Sequence, residues 1–210
     1  VTDNYSSLGT KTLLVDLGYN RETEYDVYRM TVFDTETRET ALEKLMVELS
    51  SVNVSHPRGD SEGNFYFSYR KDNNYYILGV NTATNEVFNV NVKDSNGESI
   101  SFNYKENEQL YDYNIEGFFK NQIIVYKNVM NDDYFDIPEI IFIDKETGIV
   151  KGRYRFNEEI MTADSTVFGY ECIVYIDKVY CIALVPGKSI FYILEIDPAK
   201  GNEEAETFIG

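Results

Sequence analysis

Glu139-Ile140-Ile141-Phe142-Ile143-Asp144-Lys145-Glu146-Thr147-Gly148-Ile149-Val150 sets an apolar run of strand length against an Asp, three further residues, a Gly and a second apolar start. An aspartate side chain accepts from the backbone N–H two residues on, and a glycine four positions later supplies the left-handed residue that closes a tight hairpin loop. The stretch predicts two antiparallel strands joined by an Asx turn. Three others share its grammar: Val32-Phe33-Asp34-Thr35-Glu36-Thr37-Arg38, Val80-Asn81-Thr82-Ala83-Thr84-Asn85 and Glu195-Ile196-Asp197-Pro198-Ala199-Lys200-Gly201. The turn residues Asp34, Asn81, Asp144 and Asp197 recur at intervals of 47, 63 and 53 residues, which suits a four-stranded supersecondary unit with loops of variable length. Arg38 is the departure, since a left-handed Arg carries strain that Gly does not.

Strand signals fill the segments between these turns: residues 11–17, 26–33, 64–69, 75–80, 86–92, 122–126, 139–143, 150–156, 172–175, 179–185 and 189–196 are short, rich in Tyr, Phe, Val and Ile, and bounded by Gly, Asn and Asp. Several alternate, as Val87, Asn89 and Asn91 do against Phe88, Val90 and Val92. The fold class expected is all-β with antiparallel neighbours. One segment competes. Thr40-Ala41-Leu42-Glu43 opens like a capping box, and Leu42, Leu45, Met46 and Leu49 recur at helical spacing. Its place in the repeat asks for a strand, and sheet context overrides local propensity often enough to set strand ahead of helix.

An apolar strand ending in Asp-x-x-Thr-Gly or Asx-x-x-x-Asn and followed by another strand resembles the outer hairpin of a β-propeller blade. There the strand ending at the Asp is the third of the blade and the next is the fourth. The likeness is to the generic families with degenerate repeats. The sequence has no Trp-Asp pair, no kelch-type Gly-Gly doublet, no Tyr-Trp-Thr-Asp and no sialidase box. The resemblance implies one β-propeller-like domain over residues 1–210 with about four antiparallel four-stranded units, near 1–50, 51–97, 98–157 and 158–210. The first unit lacks an inner strand unless residues 1–8 supply it. Four units leave three ways to avoid open edges: a small closed ring, part of a longer propeller, or closure against a second copy.

Composition narrows the chemistry. The 210 residues hold 19 Lys plus Arg against 36 Asp plus Glu, a net charge of −17 that repels a polyanion, so nucleic acid is not expected as a partner. One His, two Cys and no Trp leave little for a zinc site or a His-based triad. No apolar run approaches the ~20 residues of a spanning helix, and the Val at position 1 points to a processed or excised chain. His56, in Ser55-His56-Pro57-Arg58-Gly59-Asp60, reads as a solvent-facing loop residue. Arg58-Gly59-Asp60 matches the integrin-recognition tripeptide, a match that chance supplies often. There is no nucleophile elbow and no phosphate loop, so no cofactor is expected. Asn131-Asp132-Asp133 with Asp136, and Asp94-Ser95-Asn96-Gly97-Glu98, offer oxygen ligands of the kind calcium takes, without EF-hand spacing. In so acidic a chain a solvated face explains them better.

Residues 172–181 read as a hairpin with Ile176-Asp177 at its tip. Pairing 175 with 178 sets Cys172 opposite Cys181 and puts a disulfide within reach; two buried thiols in a cytoplasmic protein are the alternative. Eighteen Tyr exceed what a core of this size needs, and tyrosine gives contact area at low entropy cost. Strand propensity is the competing explanation for them. The function expected is a non-catalytic binding module, exported or on the cell surface, that recognises a protein or carbohydrate through Tyr- and Asp-rich loops. The candidate ligand-binding residues are Tyr104, Tyr111, Asp112, Tyr113, Asp132, Asp133 and Tyr134, from the long interval between the second and third turns. The alternative is a hydrolase of propeller fold that uses paired carboxylates, such as a glycoside hydrolase.

Overall fold

The structure, a computed structural model, describes residues 4–21, 25–45, 55–71, 74–100, 111–129, 139–155, 168–185, 190–198 and 206–209. Every regular element among them is a strand. The first sheet holds β1 (Asn4–Leu8), β2 (Lys11–Asn20), β3 (Tyr25–Asp34) and β4 (Glu39–Leu45). The second holds β5 (Arg58–Gly59), β6 (Asn64–Lys71), β7 (Asn74–Asn81) and β8 (Val87–Asn91). The third holds β9 (Tyr111–Phe119), β10 (Gln122–Val129), β11 (Glu139–Asp144) and β12 (Val150–Arg155). The fourth holds β13 (Phe168–Tyr175), β14 (Lys178–Val185), β15 (Ile190–Ile196) and β16 (Glu206–Ile209). Each sheet is a four-stranded antiparallel meander in sequence order. The expected array of four such units is the observed one, and Asn4–Leu8 is the inner strand that the first unit needed.

Two compact units divide the chain. One is Val1–Val92 with Ser99–Asn103, the other Lys93–Glu98 with Tyr104–Gly210. In the first, Leu13, Val15, Met30 and Val32 from one face of sheet one join Phe65, Phe67, Tyr69, Leu78 and Val80 of sheet two in a single apolar cluster. The first strands of these two sheets run close together, and a Cβ built on Gly59 of β5 would stand 3.3 Å from Leu8 Cβ of β1. In the second unit β9 and β13, again first strands, lie in contact, and the Tyr154 hydroxyl of β12 donates to the carbonyl of Asp197 beyond β15 at 3.0 Å.

Burial is uneven among the sheets. Consecutive residues Phe65 to Tyr69 of β6 and Ile123 to Tyr126 of β10 are all buried, so sheets two and three have apolar side chains covered on both faces. Among the described residues five of the eighteen tyrosines, Tyr66, Tyr69, Tyr75, Tyr126 and Tyr154, are core residues. These five serve strands that need large side chains on both faces.

Thr40 to Leu45 is strand, paired with β3 from Phe33↔Thr40 to Arg29↔Leu45; residues 46–49 lie outside the described part. The helical spacing loses because β3 offers a complete ladder of backbone partners that a helix here would leave open. Ala41 is accommodated as a bulge between Val32 and Phe33.

Candidate functional site

Each meander has two unlike ends. At one, the first and last hairpins turn. Asp34 Oδ1 accepts from the backbone N–H of Glu36 at 2.9 Å and of Thr37 at 3.3 Å. Asn81 Oδ1 accepts from Ala83 and Thr84 at 3.0 and 2.9 Å. Asp144 Oδ1 accepts from Glu146 and Thr147 N–H at 3.2 and 2.9 Å and from the Thr147 hydroxyl at 2.8 Å. The left-handed residues follow at Arg38, Asn85 and Gly148 with φ of 60°, 57° and 73°. The fourth copy runs into residues 199–205, outside the described part.

The same end carries a second set of left-handed residues in the first hairpins: Gly9, Gly63, Lys120 and Ile176, with φ of 58°, 89°, 52° and 57°. Sequence reading missed this set because two of its four members are neither Gly nor Asn. In three sheets the two turns are bonded to each other through the backbone. Thr35 N–H donates to Thr10 C=O at 2.8 Å, Thr82 to Gly63 at 3.1 Å and Lys145 to Asn121 at 2.9 Å. Lys11 adds a 2.6 Å ion pair to Asp34 across the first sheet. Polar groups at this end are spent on closing the turns.

Asp60 belongs to this system. Only 2% exposed, it accepts from the N–H of Glu62 and of Asn64, each at 2.9 Å. The tripeptide Arg58-Gly59-Asp60 is therefore no adhesion loop: its first two residues pair with Tyr66 and Phe65 in β5, and its carboxylate is buried. His56 is exposed, as expected. Asp94 forms one more Asx turn, accepting from Asn96 and Glu98 N–H at 2.8 and 2.9 Å. Among the described residues no group of three or more His, Cys, Asp or Glu side chains is placed to hold a metal ion.

The other end carries the long connections, and of the predicted binding residues Tyr111, Asp112 and Tyr113 stand there. Tyr111, Asp112 and Tyr113 are not loop residues: they open β9, paired with Val129, Asn128 and Lys127. The ladder to β10 holds them extended where a loop was expected. That register brings the two connections to one end of the third sheet. The segment with Tyr104 enters the sheet at Tyr111, and the segment with Asp132, Asp133 and Tyr134 leaves it at Val129. Tyr104, Asp132, Asp133 and Tyr134 themselves, and the Asn131 to Asp136 cluster, lie outside the described residues.

A residue that sequence reading passed over stands at the threshold of this end. Glu139 begins β11 directly after residues 130–138, pairs in register with Lys127 and Arg155, and is 1% exposed. Its Oε2 lies 3.6 Å from Arg153 Nη1. The available signal was a lone carboxylate heading an otherwise apolar strand. The buried carboxylates among the described residues, Asp60 and Glu139, belong to different units, and Asp60 is committed to its turn.

Cys172 and Cys181 face each other in the register that also pairs Tyr175 with Lys178, and the two are joined as a disulfide with Cα atoms 4.3 Å apart.

No family model matches the sequence, and no curated protein matches it. Solved structures do resemble the fold. An acylaminoacyl peptidase in complex with Z-Gly-Gly-Phe-chloromethyl ketone matches with a TM-score of 0.55 and 13% identity, over 99% of this chain and 32% of that one. The Pyrococcus horikoshii acylaminoacyl peptidase matches with a TM-score of 0.53 and 11% identity, over 99% and 32%. The β-propeller domain of the Trilobed protease from Pyrococcus furiosus scores 0.46 at 8% identity, too loose a likeness to argue from. The chain spans about a third of the length of the two peptidases (32%), and at such identities the likeness concerns fold alone. With four four-stranded antiparallel meanders of this kind, the fold is that of a β-propeller with degenerate repeats.

Proposed function

We propose that the chain is a non-catalytic recognition module, exported or displayed at the cell surface, that takes a protein or carbohydrate partner at the long-connection end of the third sheet. The observation that supports this reading is the register Tyr111↔Val129, by which the chain enters β9 some residues after Tyr104 and leaves β10 shortly before Asp132-Asp133-Tyr134 at one and the same sheet end, where Tyr111, Asp112 and Tyr113 begin β9. Repeat folds put variable loops on a rigid strand frame, and here the opposite end is occupied by its own turn hydrogen bonds. Tyrosine and aspartate together suit neutral or cationic partners, through stacking and charge-assisted hydrogen bonds.

The test is a binding screen of the 210-residue chain against a glycan array and a displayed protein library, repeated with Asp132→Asn, Asp133→Asn and Tyr134→Ala combined, and separately with Tyr111→Ala and Tyr113→Ala. Support is a hit weakened about tenfold or more by each set with the melting temperature kept, as for hot-spot residues. Unchanged binding to every hit would overturn the site. Turnover of a glycoside panel that Glu139→Gln abolishes would overturn the non-catalytic reading.

A further inference from the structure

We infer that the bond between Asn96 and Gly97 is a site of non-enzymatic deamidation, which turns Asn96 into an aspartyl or isoaspartyl residue. The backbone nitrogen of Gly97 attacks the side-chain carboxamide carbon of Asn96, its proton passes through solvent to the departing amide, and ammonia leaves a five-membered succinimide. Water then adds to either ring carbonyl and opens the ring. Water is the one co-reactant, and nothing is oxidised or reduced. Ring closure depends on the residue after the asparagine, because a side chain there crowds the attacking nitrogen and a sheet hydrogen bond holds it away. Asn-Gly occurs once in the 210 residues. Among the described residues the exposed asparagines are Asn85, Asn89, Asn96 and Asn121. Val90 and Gln122, which follow two of them, are paired in β8 and β10, and the Glu86 N–H donates to Thr84 Oγ1 at 3.3 Å. Of the four, Asn96 alone precedes a residue without a Cβ, and a Cβ built on Gly97 would meet nothing within 4 Å, so the space beside the attacking nitrogen is open.

The turn sets the rate. Asp94 Oδ1 accepts from Asn96 N–H at 2.8 Å and from Glu98 N–H at 2.9 Å, its Oδ2 lies 3.5 Å from Asn96 Nδ2, and its carbonyl accepts from Gly97 N–H at 3.1 Å. Attack requires the Gly97 nitrogen to leave that carbonyl, so the reaction passes through a local opening of the turn, and Asp94 is the latch. The consequence is local too. The product adds a carboxylate between Asp94 and Glu98 in a chain that already carries −17. Its isoaspartyl form lengthens by one backbone atom a hairpin closed by Asp94 N–H on Glu98 C=O at 2.8 Å. Directly before this hairpin, Lys93 N–H donates to Gly148 C=O and Val150 N–H to Lys93 C=O, each at 2.8 Å. The turn that changes is therefore the one that continues the bridge from Lys93 to the outer hairpin of sheet three.

Incubation of the folded 210-residue chain in mildly alkaline buffer, followed by peptide mapping with mass spectrometry, tests the inference. The expected result is that Asn96 converts ahead of every other asparagine, its products one mass unit heavier and resolved into aspartyl and isoaspartyl forms. Asp94→Ala, which removes the side-chain part of the latch, quickens conversion about fivefold, the ratio that one hydrogen bond of ordinary strength supplies. Gly97→Ala removes the lead of Asn96 over the other asparagines. Asp94→Ala leaves the left-handed position to glycine and serves should Gly97→Ala, at a φ of 85°, not fold. Conversion of another asparagine ahead of Asn96 overturns the proposal, as does a rate at Asn96 that both variants leave unchanged.

Discussion

Lys120 Nζ lies 3.0 Å from Asp177 Oδ1, joining the tips of the first hairpins of sheets three and four. Both side chains stand largely in water, where such a pair contributes about 0–1 kcal/mol. Each hairpin tip also holds a residue in left-handed conformation, Lys120 in one and Ile176 in the other. For a β-branched side chain this conformation is the costlier of the two.

Ile176→Gly should therefore stabilise the protein by about 1 kcal/mol, since the strain is removed and the exposed side chain gives up little burial. Urea unfolding of the variant measures this. A midpoint below that of the parent would mean that the isoleucine makes a contact worth more than its strain.

Gly79 is required by its neighbour. It pairs with Tyr66 on one side and Phe88 on the other, and a Cβ built there would fall 2.1 Å from Phe88 Cζ. The Phe88 ring covers the glycine and meets Tyr66 edge to face, centroids 5.8 Å apart. Gly79→Val should cost about 1–3 kcal/mol, the usual range for overpacking. Most of that cost should vanish in a Phe88→Ala background, and a double-mutant cycle reads the coupling.

Stability should fall on both sides of neutrality. Asp34 sits below the usual carboxylate range because Lys11 hydrogen-bonds it, against the opposing effect of burial and with help from Thr37 and Glu36 N–H. In Asp144, burial pushes upward but is outweighed by Thr147 and Glu146, and Asp94 is lowered chiefly by Glu98 N–H. Folded values below the unfolded one, about 4, give stability that is present above that pH and lost as pH falls through the folded values. Tyr66 and Tyr75 are shifted upward chiefly by burial, Tyr66 also by Asp60. Their contribution is present below the unfolded value, about 10, and is lost as pH rises beyond it. Urea midpoints followed from pH 3 to 11 should show both declines, with the acid limb flatter in Asp144→Asn and the alkaline limb flatter in Tyr75→Phe.

Thiol titration of denatured, unreduced protein taken from its native compartment should find no free thiol, since Cys172 and Cys181 are joined. Replacing both with Ala should lower stability by about 2 kcal/mol, the magnitude for so short a closed loop. Two reactive thiols in that titration would reject both the bridge and export.

The outer hairpins were readable in the sequence because Asp34, Asn81 and Asp144 announce their turns with the side chain that makes the hydrogen bond. The first hairpins were less so. Lys120 and Ile176 hold positive φ through sheet pairing on both sides, which no local signal reports. Tyr111 to Tyr113 looked like loop for a related reason: their strand is specified by its partners Lys127 to Val129. That Tyr66, Tyr69, Tyr75, Tyr126 and Tyr154 are interior was not legible, because interior location depends on which sheet faces become covered, a tertiary fact absent from any window of sequence.

The backbone bonds Thr35 to Thr10, Thr82 to Gly63 and Lys145 to Asn121 fix the length of both turns in three sheets at once, so adding a residue to either turn breaks a bond to the other. Growth of these repeats is thereby polarised. New sequence can enter between the second and third strands or between successive sheets, and hardly anywhere else, which makes residues 130–138 a natural place to graft a foreign loop and residues 35–38 a poor one.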